Sequence, residues 1–210
     1  MTVYSRLWVA AFMVPALSSC GGDQSRGRPG DLAGLALEHP RAKVDFTLTA
    51  TDGSVFDFRP GTRGYVTLLF FGYTHCPDVC PVHLTNIAAA LHRIDPEVAL
   101  RIKVVFVTTD PVRDSLSVIR AWLDHFDPGF VGLRGSLAEV NQIQAQLGQP
   151  PAFREGSDSG SAATGYSVAH SAVVLAFTAD DSLRVLYPFG IRQADWAADL
   201  PRLVAWGKPR

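Results

Sequence analysis

The sequence predicts an α/β domain, and three observations carry the prediction. Strand-forming runs alternate with helix-periodic runs along the folded region, the order expected when parallel strands are joined by crossover helices. One of those strands, Tyr65 to Phe71, leads directly into two cysteines, Cys76 and Cys80, at a strand-to-helix junction. The folded region then closes with two β runs around a turn, followed by a last helix.

Taken in order, Val44 to Leu48 and Val55 to Phe58 flank Thr51-Asp52-Gly53-Ser54, a hairpin signal. The run Tyr65 to Phe71 is apolar on both faces, as a buried strand must be. From about Val82 to Ile94, the residues Leu84, Ile87, Ala88 and Leu91 recur at helical spacing. Arg101 to Thr108 reads as the next strand. Asp114 to Phe126 is a second amphipathic helix that turns Leu116, Ile119, Trp122, Leu123 and Phe126 inward. Phe130 to Leu133 is a short strand, and Ser136 to Leu147 a third helix, with Ser136 as cap and Glu139 three residues later. The stretch Gly148 to Gly165, rich in Gly, Pro and Ser, is a long loop ending just before His170, and its freedom is expected to reach that histidine. Ala172 to Thr178 and Leu183 to Tyr187 flank a turn at Ala179-Asp180-Asp181. Gln193 to Trp206 is the final helix, expected to kink or restart at Pro201. A strand–dithiol–helix unit, a crossover to a second strand, then a hairpin and a helix is the order of a thioredoxin-like fold. Here it has an extra N-terminal β-hairpin and an inserted helix. In open α/β sheets the site lies off the carboxyl ends of the strands, where Cys76 falls.

Composition bounds what such a domain can do. The chain has 210 residues, is 47% apolar and carries a formal net charge of −1. No run of Lys and Arg offers an electrostatic footprint for nucleic acid. Residues 1–19 read as a signal: Leu7 to Leu17 is an apolar core behind Arg6, too short for a bilayer span of about 20 residues. It ends in Leu17-Ser18-Ser19-Cys20, which resembles a bacterial lipobox. Cys20 would then be acylated as the new N-terminus, and residues 20–40, poor in periodic apolar positions, would be a flexible tether. An ordinary export signal with an incidental cysteine, or a poor uncleaved anchor, is the plainer alternative. Residues 41–210 form one domain. An exported lipoprotein would be anchored in a membrane and face the periplasm or extracytoplasmic space.

The remaining cysteines form a pair. Spaced four apart near a helix N-terminus, Cys76 and Cys80 share a face, and the unpaired N–H groups there favour thiolate. A structural disulfide is the bland reading, but a loop this short constrains the unfolded chain little. A reactive dithiol serves either a soft metal or disulfide exchange.

Of the six histidines, His39, His92 and His125 are expected to be solvated. His83 lies three residues past Cys80 on the helix, and His75 adjoins Cys76, where neighbours on a turn rarely aim at one metal. His170, in Tyr166-Ser167-Val168-Ala169-His170-Ser171, immediately precedes a strand that starts beside the dithiol loop, so it can reach both thiolates.

Gly72-Tyr73-Thr74-His75-Cys76-Pro77-Asp78-Val79-Cys80-Pro81 resembles the signature of the Sco/SenC family, copper proteins that help assemble cytochrome c oxidase. Thr109-Asp110-Pro111-Val112-Arg113-Asp114 resembles that family's acidic turn after the second core strand, and Tyr166 to Ser171 its histidine segment. The resemblance runs from about Val44 to the C-terminus. It implies Cys76, Cys80 and His170 as copper ligands, with Asp78 and Asp110 as candidate neighbours that tune them. Many members carry an aspartate where this chain has Ala169. Two thiolates and an imidazole suit Cu(I), and the same set holds Cu(II) when a further ligand joins. Zinc would also accept these three, but a structural zinc site normally has four protein ligands.

Two functions follow from the resemblance. One is a monomeric copper metallochaperone that takes the ion from a periplasmic donor and delivers it to an oxidase subunit. The other is a thiol–disulfide oxidoreductase that keeps the copper-binding cysteines of such a subunit reduced. The second needs only Cys76 and Cys80; the first also needs His170. A peroxidase is disfavoured, since Thr74 alone does not polarise peroxide.

Overall fold

The computed structural model describes residues 32–155 and 166–206. The signal, Cys20 and most of the expected tether lie outside the described residues. Ten strands and six helices are assigned among the described residues. Eight strands form one twisted sheet in the order β1-β10-β9-β4-β5-β6-β2-β3, and two form a small separate ladder. Here β1 is Leu35–Ala42, β2 Thr47–Ala50, β3 Val55–Asp57, β4 Val66–Gly72, β5 Ile102–Thr108, β6 Val131–Arg134, β9 Val174–Thr178 and β10 Ser182–Tyr187; the small ladder pairs β7 (Phe153–Glu155) with β8 (Ser167–Ala169). The four central strands β10, β9, β4 and β5, with a crossover helix between β4 and β5, are the core of a thioredoxin-like fold.

Strand β4 is the axis of that sheet. All seven of its residues are buried. It pairs in parallel with β5, from Val66 against Ile102 to Gly72 against Thr108, and antiparallel with β9, where Phe70 faces Val174. Its side chains alternate between two cores. Val66, Leu68 and Phe70 face helices α2 (Val79–Leu91), α4 (Leu116–Leu123) and α6 (Gln193–Trp206), while Leu69 and Phe71 face α5 (Leu137–Gln146) and Phe58 of the short helix α1 (Phe58–Gly61).

The expected hairpin is present as β2–β3, shifted two to three residues toward the turn at its first strand. Gly53 N–H donates to Ala50 O at 2.9 Å and Ala50 N–H to Ser54 O at 2.9 Å, so the ladder runs right up to the turn. Val44 and Phe46, read as strand, instead lean on the second core from a connecting segment. Phe58, read as the end of the second strand, opens α1.

Three further departures have physical causes. Residues 35–40, read as tether, belong to β1, which pairs with β10 at the sheet edge. Its exposed, non-alternating pattern hides it from a periodicity argument. Helix α2 begins at Val79 rather than after Pro81, because a proline in the first helical turn gives up an N–H that has no intrahelical partner there. Cys80 therefore sits inside the helix. Helix α6 continues through Pro201 as a single element instead of restarting.

The capped helix at Ser136 is as expected: Ser136 and Glu139 form a reciprocal capping box at the start of α5. The short helix α3 (Pro96–Ala99), capped by Asp95, was not anticipated. The stretch read as one long loop carries β7 near its start, with Ala152 buried and Phe153 exposed; residues 156–165 lie outside the described residues.

Gly72, the last residue of β4, has no room for a side chain. A Cβ there would lie 2.6 Å from the Cys80 sulfur and 3.0 Å from the Phe106 ring. Gly72→Ala is expected to lower stability by about 1–3 kcal/mol through overpacking and to speed alkylation of Cys80 in the folded protein. Urea denaturation and timed alkylation check this; an unchanged midpoint with Cys80 still protected would contradict it.

Candidate metal centre

The sheet brings Cys76, Cys80 and His170 to one edge. Cys76 lies in the loop leaving β4, on a turn in which its N–H donates to Tyr73 O at 3.2 Å. Cys80 follows in the first turn of α2 and is wholly buried, while Cys76 is half-buried; both are free thiols. His170 arrives from the opposite direction. Because β9 runs antiparallel to β4, the residues just before Val174 stand over the carboxyl end of β4. The donor atoms of all three residues lie within 4.8 Å of one another, and His170 Nε2 is 3.6 Å from Cys80 Sγ.

Each histidine tautomer follows from its partner. His170 Nδ1 is 2.9 Å from the carbonyl of Ser171, which can only accept, so Nδ1 carries a proton and this bond aims Nε2 at the two sulfurs. Tyr73 and Phe70 stand edge-on to the ring, at centroid distances of 5.5 and 6.1 Å, and limit its rotation.

The two thiols are unequal. Cys76 is held down at about 3, first by the hydrogen bond from the Cys80 thiol, then by His170 and by the backbone N–H groups of Asp78 and Cys80. Cys80 is pushed well up, chiefly by burial and then by its neighbour's thiolate. The dithiol thus carries one proton, on Cys80, shared toward a Cys76 thiolate.

Beneath the loop lies Asp114, fully buried. Its carboxylate accepts from Thr74 N at 3.1 Å, Thr74 Oγ1 at 2.6 Å and Thr108 Oγ1 at 2.5 Å, binding the dithiol loop to the end of β5. In the sequence Asp114 opens a helix and closes the acidic turn, but nothing local shows that two threonines will face it. Asp110 accepts from Tyr166 Oη at 2.7 Å and pairs with Arg113. It secures the segment leading to His170 and does not face the thiols directly. Asp78, exposed at the head of α2, makes no side-chain cap bond; its backbone N–H is what reaches Cys76.

The remaining histidines sort cleanly, and His39 is exposed in edge strand β1. His92 is exposed and 3.6 Å from Asp127, and His125 is exposed near the Trp122 carbonyl. His75 is exposed, bonded to Thr74 Oγ1 and 3.8 Å from Asp114, outside the trio. His83 is buried at 1% exposure, and burial lowers its pKa. Among the described residues no fourth His, Cys, Asp or Glu joins the three donors.

Donors on one soft ion, at about 2.3 Å for sulfur and about 2.0 Å for nitrogen, stand roughly 3.5–4 Å apart. The observed spacing needs only small shifts to close on such an ion, and with three side-chain donors it leaves a fourth coordination position unfilled.

Fold and site together define a thioredoxin-like protein with a two-cysteine, one-histidine centre. The family model described as SCO1/SenC matches residues 36–205, so the chain belongs to the SCO1/SenC family. It is 32% identical over 148 residues to a Stutzerimonas stutzeri protein whose name ascribes copper binding to it, spanning 69% of each chain. The structure of Bradyrhizobium japonicum ScoI with copper bound is similar at 31% identity and a TM-score of 0.65, over 78% of this chain and 100% of that one. Apo Sco1 from Thermus thermophilus is similar at 31% identity and a TM-score of 0.71, over 82% and 97%.

The unequal thiols make a kinetic prediction. In metal-free, reduced protein, Cys76 should react with iodoacetamide at a nearly constant rate from about pH 5 to 8, while Cys80 stays slow. A Cys76 rate that rises with pH as an ordinary thiol's does, with its midpoint near 8.5, would contradict the shared-proton arrangement. Peptide mapping of the alkylated protein resolves the two sites.

Proposed function

We propose that this chain is a copper metallochaperone that holds one copper ion through Cys76, Cys80 and His170 and delivers it to the copper centre of cytochrome c oxidase. The observation that carries the reading is the convergence of these three donors within 4.8 Å in a SCO1/SenC chain. Two sulfurs and an imidazole favour Cu(I), and Cu(II) is accommodated when a further ligand enters at the unfilled position. That unfilled position also suits a cargo ion, since an acceptor ligand can bind before the donor set releases. A periplasmic donor would load the site, and an oxidase subunit would unload it from a monomeric carrier.

One copper per chain is expected in the reduced protein. Cys76→Ala or Cys80→Ala should abolish tight binding. His170→Ala should weaken it and cost Cu(II) most. Metal analysis by mass spectrometry checks each, and undiminished copper in Cys80→Ala would remove the site.

A second reading draws on one specific feature, the Cys76 thiolate beside a protonated Cys80. Such a pair can act as a thiol–disulfide oxidoreductase. Cys76 attacks a partner's disulfide and expels one thiolate, and Cys80 then resolves the mixed disulfide. The partner gains two electrons as this dithiol becomes a disulfide. Reduction of an oxidase-subunit disulfide that survives His170→Ala undiminished would favour this reading over metal delivery.

Export and anchoring complete the proposal. Cleavage before Cys20 and acylation there would hold the domain at a membrane, facing the periplasm or extracytoplasmic space, where tethering raises its effective concentration near an embedded partner. No helix among the described residues is long and apolar enough to cross a membrane. Cys20→Ser should move the protein from the membrane to the soluble extracytoplasmic fraction, as fractionation and intact mass would reveal. An unmodified Cys20 in soluble protein would overturn the anchor.

A further inference from the structure

His83 is a buried histidine that the proposed ligand set does not use. It lies three residues past Cys80, so both project from the same face of α2. Its Nε2 is 3.0 Å from the carbonyl oxygen of Ala172. A carbonyl only accepts, so Nε2 carries the proton and donates it. The ring is fixed from two sides, by Phe70 at a centroid distance of 5.2 Å and by Phe189 at 5.6 Å.

Ala172 is two residues beyond His170. Residues 170–173 fall between the end of β8 at Ala169 and the start of β9 at Val174, outside both ladders. Sheet pairing therefore does not set the direction of their carbonyls, and other bonds must. Ser171 Oγ donates to Gln149 Oε1 at 2.6 Å and accepts from Val173 N at 3.3 Å, which anchors the segment on the side of β7. The Ser171 carbonyl holds the His170 ring. The hydrogen bond from His83 to the next carbonyl, that of Ala172, ties the same segment to α2, the helix that carries Cys80.

We infer that His83 is a positioning residue: by holding the Ala172 carbonyl it sets the separation and angle at which His170 Nε2 meets the Cys80 sulfur. It does so from one helical turn away, without itself joining the three donors. This rests on the proposed reading of Cys76, Cys80 and His170 as copper ligands, but the brace exists in the metal-free protein and can be measured there.

The test compares His83→Leu, which keeps apolar bulk and loses the donor, with His83→Gln, whose amide N–H can reach the same carbonyl. In full-length reduced protein without metal, the His170 ring resonances should shift or broaden in His83→Leu and stay close to the parent's in His83→Gln. With Cu(II) added, His83→Leu should bind about tenfold to a hundredfold more weakly, the range for losing a partner that orients a ligand, and show an altered thiolate-to-copper absorption band. His83→Gln should recover most of both. Should His83→Leu fail to fold, His83→Asn, whose amide is too short to reach Ala172, takes its place. Parent-like His170 resonances and an unchanged copper spectrum in the donor-less variant would overturn the inference. So would equal impairment in His83→Gln, which would assign the effect to ring packing against Phe70 and Phe189. If the parent itself takes up no copper, the proposed function fails, while the His170 resonances still decide the brace.

Discussion

The antiparallel pairing of β9 with β4 is the constraint on which the site depends. The register that sets Phe70 against Val174 decides that whatever precedes Val174 rises over the end of β4. Four residues before Val174 is His170, and four residues past Gly72 is Cys76. Slipping that register by one residue would turn every side chain of β9 to the other face and would carry His170 away from the thiols. The register is strongly specified, because both faces of β4 and β9 are buried and a slip would exchange the two cores. The donor geometry is thus underwritten by apolar packing several residues away from any donor atom.

On that frame the two halves of the site are held differently. Cys80 is built into the core: it lies inside α2, is wholly buried and presses on a glycine that can hold nothing larger. The loop carrying Cys76 is pinned by a buried carboxylate, Asp114, whose hydrogen bonds reach both the loop and the end of β5. His170 belongs to neither ladder. It is held through Ser171 and Ala172, and at the start of its segment by Tyr166, whose ring has the Arg113 and Arg154 guanidinium carbons 3.7 and 3.9 Å from its centroid. Losing the carboxylate would strand several donors at once, whereas losing one bond to the histidine segment leaves the others in place.

Much of this was legible in the sequence, and the parts that were not share a cause. The strands β4, β5 and β9 announce themselves because burial on both faces demands unbroken apolar runs. The dithiol and His170 are legible because chemistry restricts which residues can stand there. Most of edge strand β1 reads as tether because an exposed strand at a sheet edge needs no alternation. Pro81 looks like a boundary and sets the expected start of α2 three residues late, although a first-turn proline gives up no intrahelical bond. The roles of Asp114 and His83 are silent in the sequence for a different reason. Their partners, Thr74 and Ala172, are 40 and 89 residues away in the chain, and one is a backbone carbonyl that leaves no mark in the sequence.

Ala169 shows how far the resemblance to the family determines this particular site. Where many members carry an aspartate before the histidine, this chain pairs Ala169 with Phe153 in the small β7–β8 ladder. A carboxylate here would add a negative charge on the His170 side, next to a dithiol that already carries a thiolate. Without it, the buried acidic charge near the dithiol is Asp114, on the far side of the loop, where it raises the Cys80 pKa slightly further. The histidine side is instead lined by the rings of Tyr73 and Phe70. Two consequences follow for the copper reading. The donor set itself is intact, since no member of it depends on residue 169. An incoming ion or partner then meets the Cys76 thiolate with no carboxylate at position 169 to join it.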